Sequence, residues 1–410
     1  MRGLRKKAIR MAGVLCVAAL AAVACGNDGD SGGGAGPGDT VKIGLLTTRS
    51  GSASAGFVGA EPGLDARLKA YQAEGGKCSD RKFEIVVADD QSSPQGALAG
   101  AQKLIQQDKV FAVAEVTPYF FGAAKYVTTS GKDTPTVGGA FDSAPQWLEP
   151  GNNLFGSVPN IPDFSKTYTT YGEFWRGLGI TKIASVAYDN QASSSAMEQV
   201  LRSSDKVGIS RAYINDTLPL GSTDVGAIVL GIKNSGADAL YLPINPDTSL
   251  AIVGGLRQAG VNLKSIVSAT GYGADLLASD PAVQAAQGMT FVSLAQPTEL
   301  NTPATQKFAN ALKQYAGSPS GLPSFSQSYG WWAGDLLIHG LEVAGCDASQ
   351  SEFMAALRAD KTWDAGGQYA NKVSFTELTV QTECLYMTDL SGKTFVPLPQ
   401  ASPICGSQIK

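Results

Sequence analysis

From residue 40 onward, short apolar runs alternate with longer segments in which apolar residues recur every three or four positions. Runs of four to six apolar residues predict strands, and the longer spacing predicts helices. Because these strands hold few polar positions, they fit parallel sheets that are covered on both faces. The pattern therefore predicts an α/β fold with two units of similar size. The predicted strands are 41–46, 83–87, 110–114 and 135–138 in the first unit, and 183–187, 239–242, 265–268 and 289–292 in the second.

Apolar stripes mark the predicted helices between these strands, and the last of them is a long helix over 325–344. The chain then ends in three short predicted strands, 372–375, 385–387 and 394–396. In open α/β sheets, ligands bind beyond the carboxyl ends of the strands. Two such sheets facing one another predict a site in the cleft between them. The helix stripes are Leu64, Leu68 and Tyr71; Leu98, Ala101, Leu104 and Ile105; Met197, Val200 and Leu201; Val225, Ile228, Val229 and Ile232; and Tyr329, Trp332, Leu336, Gly340 and Val343.

The N-terminal segment has a different pattern. Residues 1–10 are basic, and residues 11–24 are an apolar run of fourteen. This run is shorter than the roughly 20 residues that cross a bilayer, and it fits a secretory signal over 1–24. Small residues precede Cys25, a pattern that resembles a bacterial lipoprotein box and implies lipidation of Cys25. The alternative is a secreted protein with an unmodified Cys25, and in either case residues 25–39 predict a flexible tether.

Composition narrows the classes of function. Hydrophobic residues make up 43% of the 410 residues, which predicts folded domains, and the net charge of −4 argues against a nucleic-acid surface. The single histidine, His339, argues against His-based catalysis and multi-His metal sites, and we expect it to be a packing or surface residue. Phosphate-binding loops and nucleophile-elbow motifs are absent from the sequence. We therefore expect no catalysis, no cofactor and no metal, and we expect the adjacent Asp89 and Asp90 to cap a loop.

Four further cysteines indicate disulfide bonds. In an exported chain they predict two bonds with three possible pairings. Joining Cys346 to Cys384 and Cys78 to Cys405 is one option, but the sequence does not choose among the three. No pair has the Cys-x-x-Cys spacing of a metal or redox motif. The four cysteines are Cys78, Cys346, Cys384 and Cys405.

Aromatic residues gather at two places in the sequence. Tyr119, Phe120 and Phe121 follow the third predicted strand, where a ligand would bind. Trp331 and Trp332 lie within the long predicted helix, and their spacing predicts core positions instead.

In their order and spacing, five segments together resemble the type I periplasmic binding proteins of the branched-chain-amino-acid class, the substrate-binding components of ATP-driven importers. The resemblance extends from 40 to about 397. It implies two Rossmann-like lobes with parallel sheets, joined by a hinge of three crossings and closing on a small molecule. We expect lobe 1 at 40–158 and 297–372, and lobe 2 at 159–296 and 373–410. The segments are VKIGLLTTRSG at 41–51, AYQAEGG at 70–76, VVADDQSSPQGALAGAQKLI at 86–105, GADALYLPINPDTSLAIVGGLRQAG at 236–260 and SYGWWAGDLLIHGLEVAG at 328–345.

The resemblance also implies ligand contacts, and this chain departs from them at both ends of an α-amino acid. The hydroxyl that helps to hold the substrate carboxylate falls on Pro118, beside Thr117. After the fourth strand, Asp142 or Ser143 stands where the family has a threonine hydroxyl. The acid that pairs with the substrate ammonium falls on Thr270. We therefore expect a ligand that is not an α-amino acid.

The remaining residues around the expected cleft are mostly aromatic or neutral. Such walls suit an aromatic or apolar small molecule with hydroxyl or amide groups. Loop packing is the alternative for about half of them. The predicted ligand-binding residues are Phe57, Thr117, Tyr119, Phe120, Phe141, Asp142, Tyr188, Gln191, Asn245, Thr270 and Tyr272.

Taken together, the sequence predicts a monomeric, extracytoplasmic solute-binding protein, anchored to the membrane by a lipid. Its expected partners are a small-molecule ligand, an ABC permease and the ATPase subunit of that permease. A ligand-sensing lipoprotein with the same fold and no transporter is the main alternative. An envelope hydrolase is a third possibility, against which the single histidine and the missing nucleophile elbow both count.

Overall fold

Strands and helices alternate along most of residues 40–410, the part of the chain that the computed structural model describes. The strands are β1 (Thr40–Thr47), β2 (Lys82–Asp89), β3 (Ala112–Val116), β4 (Thr136–Gly138), β5 (Leu154–Gly156), β6 (Lys182–Tyr188), β7 (Ser210–Leu218), β8 (Ala239–Leu242), β9 (Ser265–Ser268), β10 (Thr290–Ser293), β11 (Thr382–Ser391), β12 (Thr394–Pro397) and β13 (Ile404–Ser407). The helices are α1 (Ala60–Glu74), α2 (Pro94–Gln102), α3 (Phe121–Thr129), α4 (Thr170–Gly177), α5 (Gln191–Lys206), α6 (Gly226–Ser235), α7 (Pro246–Gln258), α8 (Ala274–Leu277), α9 (Asp280–Ala285), α10 (Pro303–Tyr315), α11 (Phe325–Ala344) and α12 (Gln350–Ala359). Helix α2 continues into a π-helical turn, Lys103–Gln107, and four short 3-10 turns lie at Ser54–Gly56, Pro145–Leu148, Thr298–Leu300 and Pro399–Ala401.

The first lobe is built on a five-stranded parallel sheet with the order β2-β1-β3-β4-β5. All five residues of the central strand β3 are buried, because helices cover both faces of the sheet. Four helices supply most of that cover: α1, α2, α3 and α11. Continuous apolar strands are what a parallel sheet covered on both faces requires.

The second lobe is built on a larger sheet with the order β12-β11-β10-β9-β8-β6-β7. Its strands β6 to β10 pair in parallel, whereas β11 pairs antiparallel with β10, β12 and β13. Two hydrophobic clusters, one on each face of this sheet, form its core. The two-lobe α/β fold predicted from the sequence is thereby confirmed.

Helices α1 and α11 pack so closely that glycines are needed between them. A Cβ atom at Gly63 would collide with the carbonyl oxygen of Gln327, and one at Gly330 would collide with that of Ala60. The two helices run in the same direction, since Arg67, later in α1, contacts Asp335, later in α11. Helix α1 starts beyond the carboxyl end of β1. The N-terminus of α11 therefore also lies at the carboxyl edge of the first sheet.

The chain passes between the lobes three times, after β5, after β10 and before β11. At the first crossing, Val158 packs in the core of the first lobe and Tyr171 in that of the second. At the third crossing, Phe375 packs in the core of the first lobe and Leu385 in that of the second. One loop adds a contact that the sequence did not indicate: Leu322, between α10 and α11, packs in the core of the second lobe. The lobe boundaries given above remain a prediction.

Some sequence-based expectations differ from the structure. Residues 372–375 form no strand, and the third strand starts at Ala112 rather than at 110. Strands β5, β7 and β13 were not predicted; β7 carries many polar side chains and therefore shows no apolar run. Val343 was expected on the inner stripe of the long helix, but it is 41% exposed.

The disulfide bonds join Cys78 to Cys346 and Cys384 to Cys405, so the pairing option raised above is wrong. Cys78 follows α1 and Cys346 follows α11, and the C-terminal ends of these two parallel helices are neighbours. Cys384 and Cys405 are register partners on β11 and β13. Only the packing of α1 on α11 and the pairing of β11 with β13 could have selected these partners.

The predicted signal segment, Cys25 and the tether lie outside the described residues. Between residues 40 and 410, no helix has both the length and the apolar character that crossing a bilayer requires.

Candidate functional site

An aromatic cluster lies at the carboxyl edge of the first sheet and consists of Phe57, Phe141, Phe325 and Tyr329. The ring of Phe57 stacks on that of Phe141 at 6.0 Å between centroids, and Phe325 meets both rings edge-on. Tyr329 lies beneath, with its ring 4.8 Å from Phe141 and 4.7 Å from Phe325. Tyr329 is buried, whereas the three phenylalanines are half-buried. The cluster thus presents a partly open aromatic surface where a ligand of an α/β sheet is expected.

Phe325 and Tyr329 enter this cluster because of where α11 begins. Ser324 and Gln327 form a capping box, in which the Ser324 hydroxyl accepts from the Gln327 amide and the Gln327 side chain accepts from the Ser324 amide. This cap starts the helix at Phe325. Phe57 and Phe141 were predicted as site residues from the sequence, whereas Phe325 was not, and Tyr329 was predicted to lie on the inner stripe of the helix. The capping signal was visible, but the position of α11 beside Phe141 was not.

Beneath this edge, Asp90 holds three strand-end loops together. Its fully buried carboxylate accepts hydrogen bonds from the hydroxyl of Thr48 at 2.8 Å, from the hydroxyl of Thr117 and from the amide of Ser92 at 2.8 Å. The neighbouring Asp89 accepts from backbone amides of the loop after β1. The expectation that these two acids cap loops is therefore confirmed.

Two further acids, Glu115 and Asp142, lie close together at the same edge. Glu115 is fully buried on β3, and its Oε1 accepts from the Thr117 amide at 2.8 Å. Its register partner is Gly138, and a Cβ atom there would collide with the Glu115 carboxylate. The Oδ1 of Asp142 accepts from the indole N–H of Trp147 at 2.7 Å. Within residues 40–410, Glu115 Oε2 and Asp142 Oδ2 are buried and have no hydrogen-bond partner.

The surroundings raise the pKa of both carboxyls. Burial raises the pKa of Asp142 to about 6, although the indole of Trp147 and nearby backbone amides, including that of Phe121, lower it. Burial, followed by the charge of Asp142, raises the pKa of Glu115 well above its usual range. Burial, and for Glu115 also the neighbouring charge, disfavour the ionised form of the carboxyl. The sequence analysis missed Glu115, although an acid within the apolar run AVAEV was a signal.

In the second lobe, neutral groups gather at the carboxyl edge of the sheet. The hydroxyl of Tyr188, at the end of β6, bonds to that of Thr248 at 2.8 Å and accepts from the amide of Asn245 at 3.3 Å. The Thr270 hydroxyl donates to the carbonyl oxygen of Ile244 at 2.9 Å. The side chains of Asn245 and Gln191 are exposed at this edge.

The loop after β9 connects the second lobe to the hinge and to the first lobe. The Tyr272 hydroxyl donates to the Glu299 carboxylate at 2.8 Å, within the second crossing. The carboxylate of Asp275 accepts from the Phe325 amide at 2.8 Å, and the Ala274 amide donates to the carbonyl oxygen of Pro323 at 2.8 Å. The first turn of α11 is therefore held from both lobes, next to the aromatic cluster.

Three predicted site residues are buried beneath the loops instead of facing the cleft. Thr117 is fully buried with its hydroxyl on Asp90, and Phe120 is fully buried with its ring 5.2 Å from that of Trp147. Tyr188 is 3% exposed. Strand-end position alone placed them in the cleft, and it did not reveal which way each side chain points. The pocket proposed below does not include these three residues.

A separate groove of about 710 Å³ lies on the outer flank of the first lobe. It runs between α1, the edge strand β2 and the end of α10, and Phe57 lies at its upper end. Its lining includes the exposed ion pairs of Arg49 with Glu61 and of Lys69 with Asp65. The groove reaches the carboxyl end of β1 at Thr47, but most of its lining lies along α1, β2 and the end of α10, which makes it a poor candidate for the main site.

Within residues 40–410, neither a metal-binding group nor His339 contributes to this site. In the described part of the chain, no group of three or more His, Cys, Asp or Glu side chains is arranged to hold a metal ion. His339 lies on α11, and its ring Nε2 is hydrogen-bonded to the Asp360 carboxylate at 2.8 Å. Along that helix, it is far from the aromatic cluster.

Comparisons with known proteins agree with this geometry. Residues 40–394 match a protein family described as periplasmic binding protein. A search of curated proteins gives no match. Many solved structures share the fold.

Three solved structures illustrate this fold similarity. A solute-binding protein of an ABC transporter from R. palustris, in complex with benzoate, is 20% identical, with 90% of this chain and 97% of that chain covered and a TM-score of 0.68. A branched-chain amino acid ABC transporter protein from Thermus thermophilus with bound valine is 16% identical, with 88% and 95% covered and a TM-score of 0.70. A fatty acid ABC transporter substrate-binding protein from Thermomonospora curvata is 18% identical, with 89% and 93% covered and a TM-score of 0.68.

Proposed function

We propose that this chain, which belongs to the periplasmic binding protein family, binds an aromatic or apolar small molecule that is not an α-amino acid and delivers it to an ABC importer. The family is one of solute-binding proteins rather than enzymes, which agrees with the sequence-based expectation, and its members act outside the cytoplasm. The identity of the ligand and the anchoring of the chain by a lipid are the parts that we propose.

The observation that supports an aromatic or apolar ligand is the cluster of Phe57, Phe141, Phe325 and Tyr329. Half-buried rings at a strand-end edge leave apolar surface that a ligand can cover, and aromatic rings favour stacked or edge-on partners. The second lobe contributes neutral groups, Gln191, Asn245 and Thr270, that can exchange hydrogen bonds with hydroxyl or amide functions. Tyr119, half-buried after β3, completes the proposed pocket.

The similar structures are compatible with this proposal. Two solute-binding proteins of this fold from R. palustris were solved with small aromatic acids, benzoate in one and 4-hydroxybenzoate in the other, and the Thermomonospora curvata protein is described as a fatty acid ABC transporter substrate-binding protein. Their low identity limits the likeness to the fold, so the ligand class is argued from the residues of this chain.

Replacing Phe141 with Ala should weaken ligand binding about tenfold, because the ligand loses one aromatic wall. The ligand is first sought by thermal unfolding of the purified protein with aromatic amides, amines, alcohols and acids, amino acids and sugars. A compound at 100 times its Kd stabilises the protein by about 2.7 kcal/mol. Titration calorimetry with the best compound then compares the variant with the wild type.

Val343→Ala is the control, since Val343 is 41% exposed near the C-terminal end of α11, far along that helix from the aromatic cluster. Its affinity should stay within about twofold of the wild type. An amino acid as the best ligand, or equal affinities for Phe141→Ala and the wild type, would contradict the proposed pocket. Loss of uptake of the bound compound in cells without the protein supports the importer role, whereas unchanged uptake favours the ligand-sensing alternative.

The proposed lipid anchor depends on Cys25. Replacing Cys25 with Ser should move the protein from the membrane fraction to the soluble extracytoplasmic fraction, because a serine cannot form the thioether of a lipoprotein. Cell fractionation with immunoblotting measures this distribution. Ser31→Ala is the control, since Ser31 lies in the predicted tether, outside the lipoprotein box, and its change leaves Cys25 intact. A Cys25→Ser protein that stays in the membrane fraction would rule out the anchor.

A further inference from the structure

The loops that form the expected cleft carry an unbalanced set of charges. These loops are 48–59, 90–93, 117–120 and 139–144 in the first lobe, and 189–190, 219–225, 243–245 and 269–273 in the second. Their one basic residue is Arg49, and their acidic residues are Asp90, Asp142, Asp189 and Asp224. Arg49 points to the outer groove, where it pairs with a glutamate of α1. These loops therefore carry more acids than cations, an arrangement that disfavours a bound carboxylate.

Backbone amides could replace a missing cation, because the N-terminus of a helix attracts anions. At the start of α3 an acid already lies nearby. The backbone amide of Phe121, the first residue of α3, lowers the pKa of Asp142, so the Asp142 carboxylate lies close to this helix end. A carboxylate ligand would have to displace Asp142 or lie beside it.

The buried acid Glu115 reinforces this arrangement. It is fully buried next to Asp142, and one oxygen of each carboxyl has no hydrogen-bond partner among the described residues. Unsatisfied acceptors in a buried place are costly, and a nearby donor or positive charge relieves that cost. The same acceptors repel a negative charge.

We propose that Asp142, supported by Glu115, is the specificity determinant of the cleft, and that the ligand is an aromatic amine or amide without a carboxylate. This inference rests on the proposed solute-binding function and narrows its ligand class. It also distinguishes this chain from the similar structures that were solved with benzoate, 4-hydroxybenzoate and valine, all of which are carboxylates.

Two matched series of compounds test the proposal with the purified protein. The aromatic series is benzylamine, benzamide and benzoate, and the aliphatic series is isoamylamine, isovaleramide and isovalerate. At pH 8 we expect the best nitrogen compound to bind at least about tenfold more tightly than the carboxylate of the same series. Asp142→Asn should reduce this ratio about tenfold, because it removes a charge and keeps an acceptor for Trp147. Asp142→Ser removes the same charge and serves as the second variant if Asp142→Asn does not fold.

The pH dependence separates an electrostatic role of Asp142 from a merely structural one. Because its pKa is raised to about 6, Asp142 is charged at pH 8 and mostly neutral at pH 5, whereas benzylamine and benzoate keep their charges. The wild-type preference for the amine should therefore fall between pH 8 and pH 5, and that of Asp142→Asn should change much less. The titratable groups that face the pair are Asp90 after β2 and Tyr329 on α11; Tyr329 stays neutral in this range because burial raises its pKa.

Asp133→Asn is the matched control, since Asp133 is exposed before β4, at the opposite edge of the same sheet. Its ratio of affinities for the nitrogen compound and for the carboxylate should equal that of the wild type. Equal binding of amine, amide and carboxylate, unchanged in Asp142→Asn, would overturn this inference and leave the proposed function intact. Discrimination in the aliphatic series alone would support the role of Asp142 and contradict both the aromatic ligand and the aromatic pocket. No binding in either series would contradict both.

Discussion

Replacing Asp335 with Asn is expected to lower the free energy of unfolding by about 3–5 kcal/mol, because it leaves a buried cation without its counter-ion. Arg67 on α1 and Asp335 on α11 form an ion pair with 2.7 Å between Nε and Oδ2, and their side chains are only 7% and 8% exposed. The other oxygen of Asp335 accepts from the indole of Trp363 at 2.8 Å. Asparagine keeps the shape and one acceptor but not the charge.

The loss should appear in equilibrium urea unfolding as a lower midpoint with an unchanged slope. Asp65→Asn is the matched control on α1, the helix that carries Arg67, since its partner Lys69 is half-exposed, and it should cost less than about 1 kcal/mol. Equal stabilities for Asp335→Asn and Asp65→Asn would show that the buried pair does not hold α1 on α11.

Removing the Cys78–Cys346 bond should cost more stability than removing the Cys384–Cys405 bond. In the chain-entropy description, a cross-link stabilises by restricting the unfolded chain, and longer loops are restricted more. The two bonds close sequence separations of 268 and 21 residues. We expect losses of roughly 5 and roughly 3 kcal/mol for the two double Cys→Ser variants.

Thermal and urea unfolding of the two double variants, beside the wild type, measure this difference. The shorter bond acts as the control, because it joins strands that are already paired in register. A larger loss for Cys384→Ser with Cys405→Ser would mean that local strain or residual structure, rather than loop length, decides the effect of these bonds.

The sequence predicted the fold because the signals for it are local. A parallel strand that is buried on both faces appears in the sequence as a run of apolar residues. A helix with one buried face appears as apolar residues at every third or fourth position. Thus β8, β9 and the full length of α11 were located from periodicity alone, whereas β7, with its mixed polar pattern, was not. Phe57 and Phe141, in contrast, were predicted among the residues around the cleft that the family resemblance implies.

Tertiary structure decided which of these residues meet. Phe325 is more than 180 positions from Phe141 in the chain, and only the parallel packing of α1 and α11 brings it to the carboxyl edge of the first sheet. The same packing selects Cys346 as the partner of Cys78. Burial was likewise decided in three dimensions: Thr117 and Phe120 turn into the core, while Glu115, in an apolar run, joins Asp142 as an acid pair. Periodicity depends on neighbours in the chain, whereas contacts, burial and pKa shifts depend on neighbours in space.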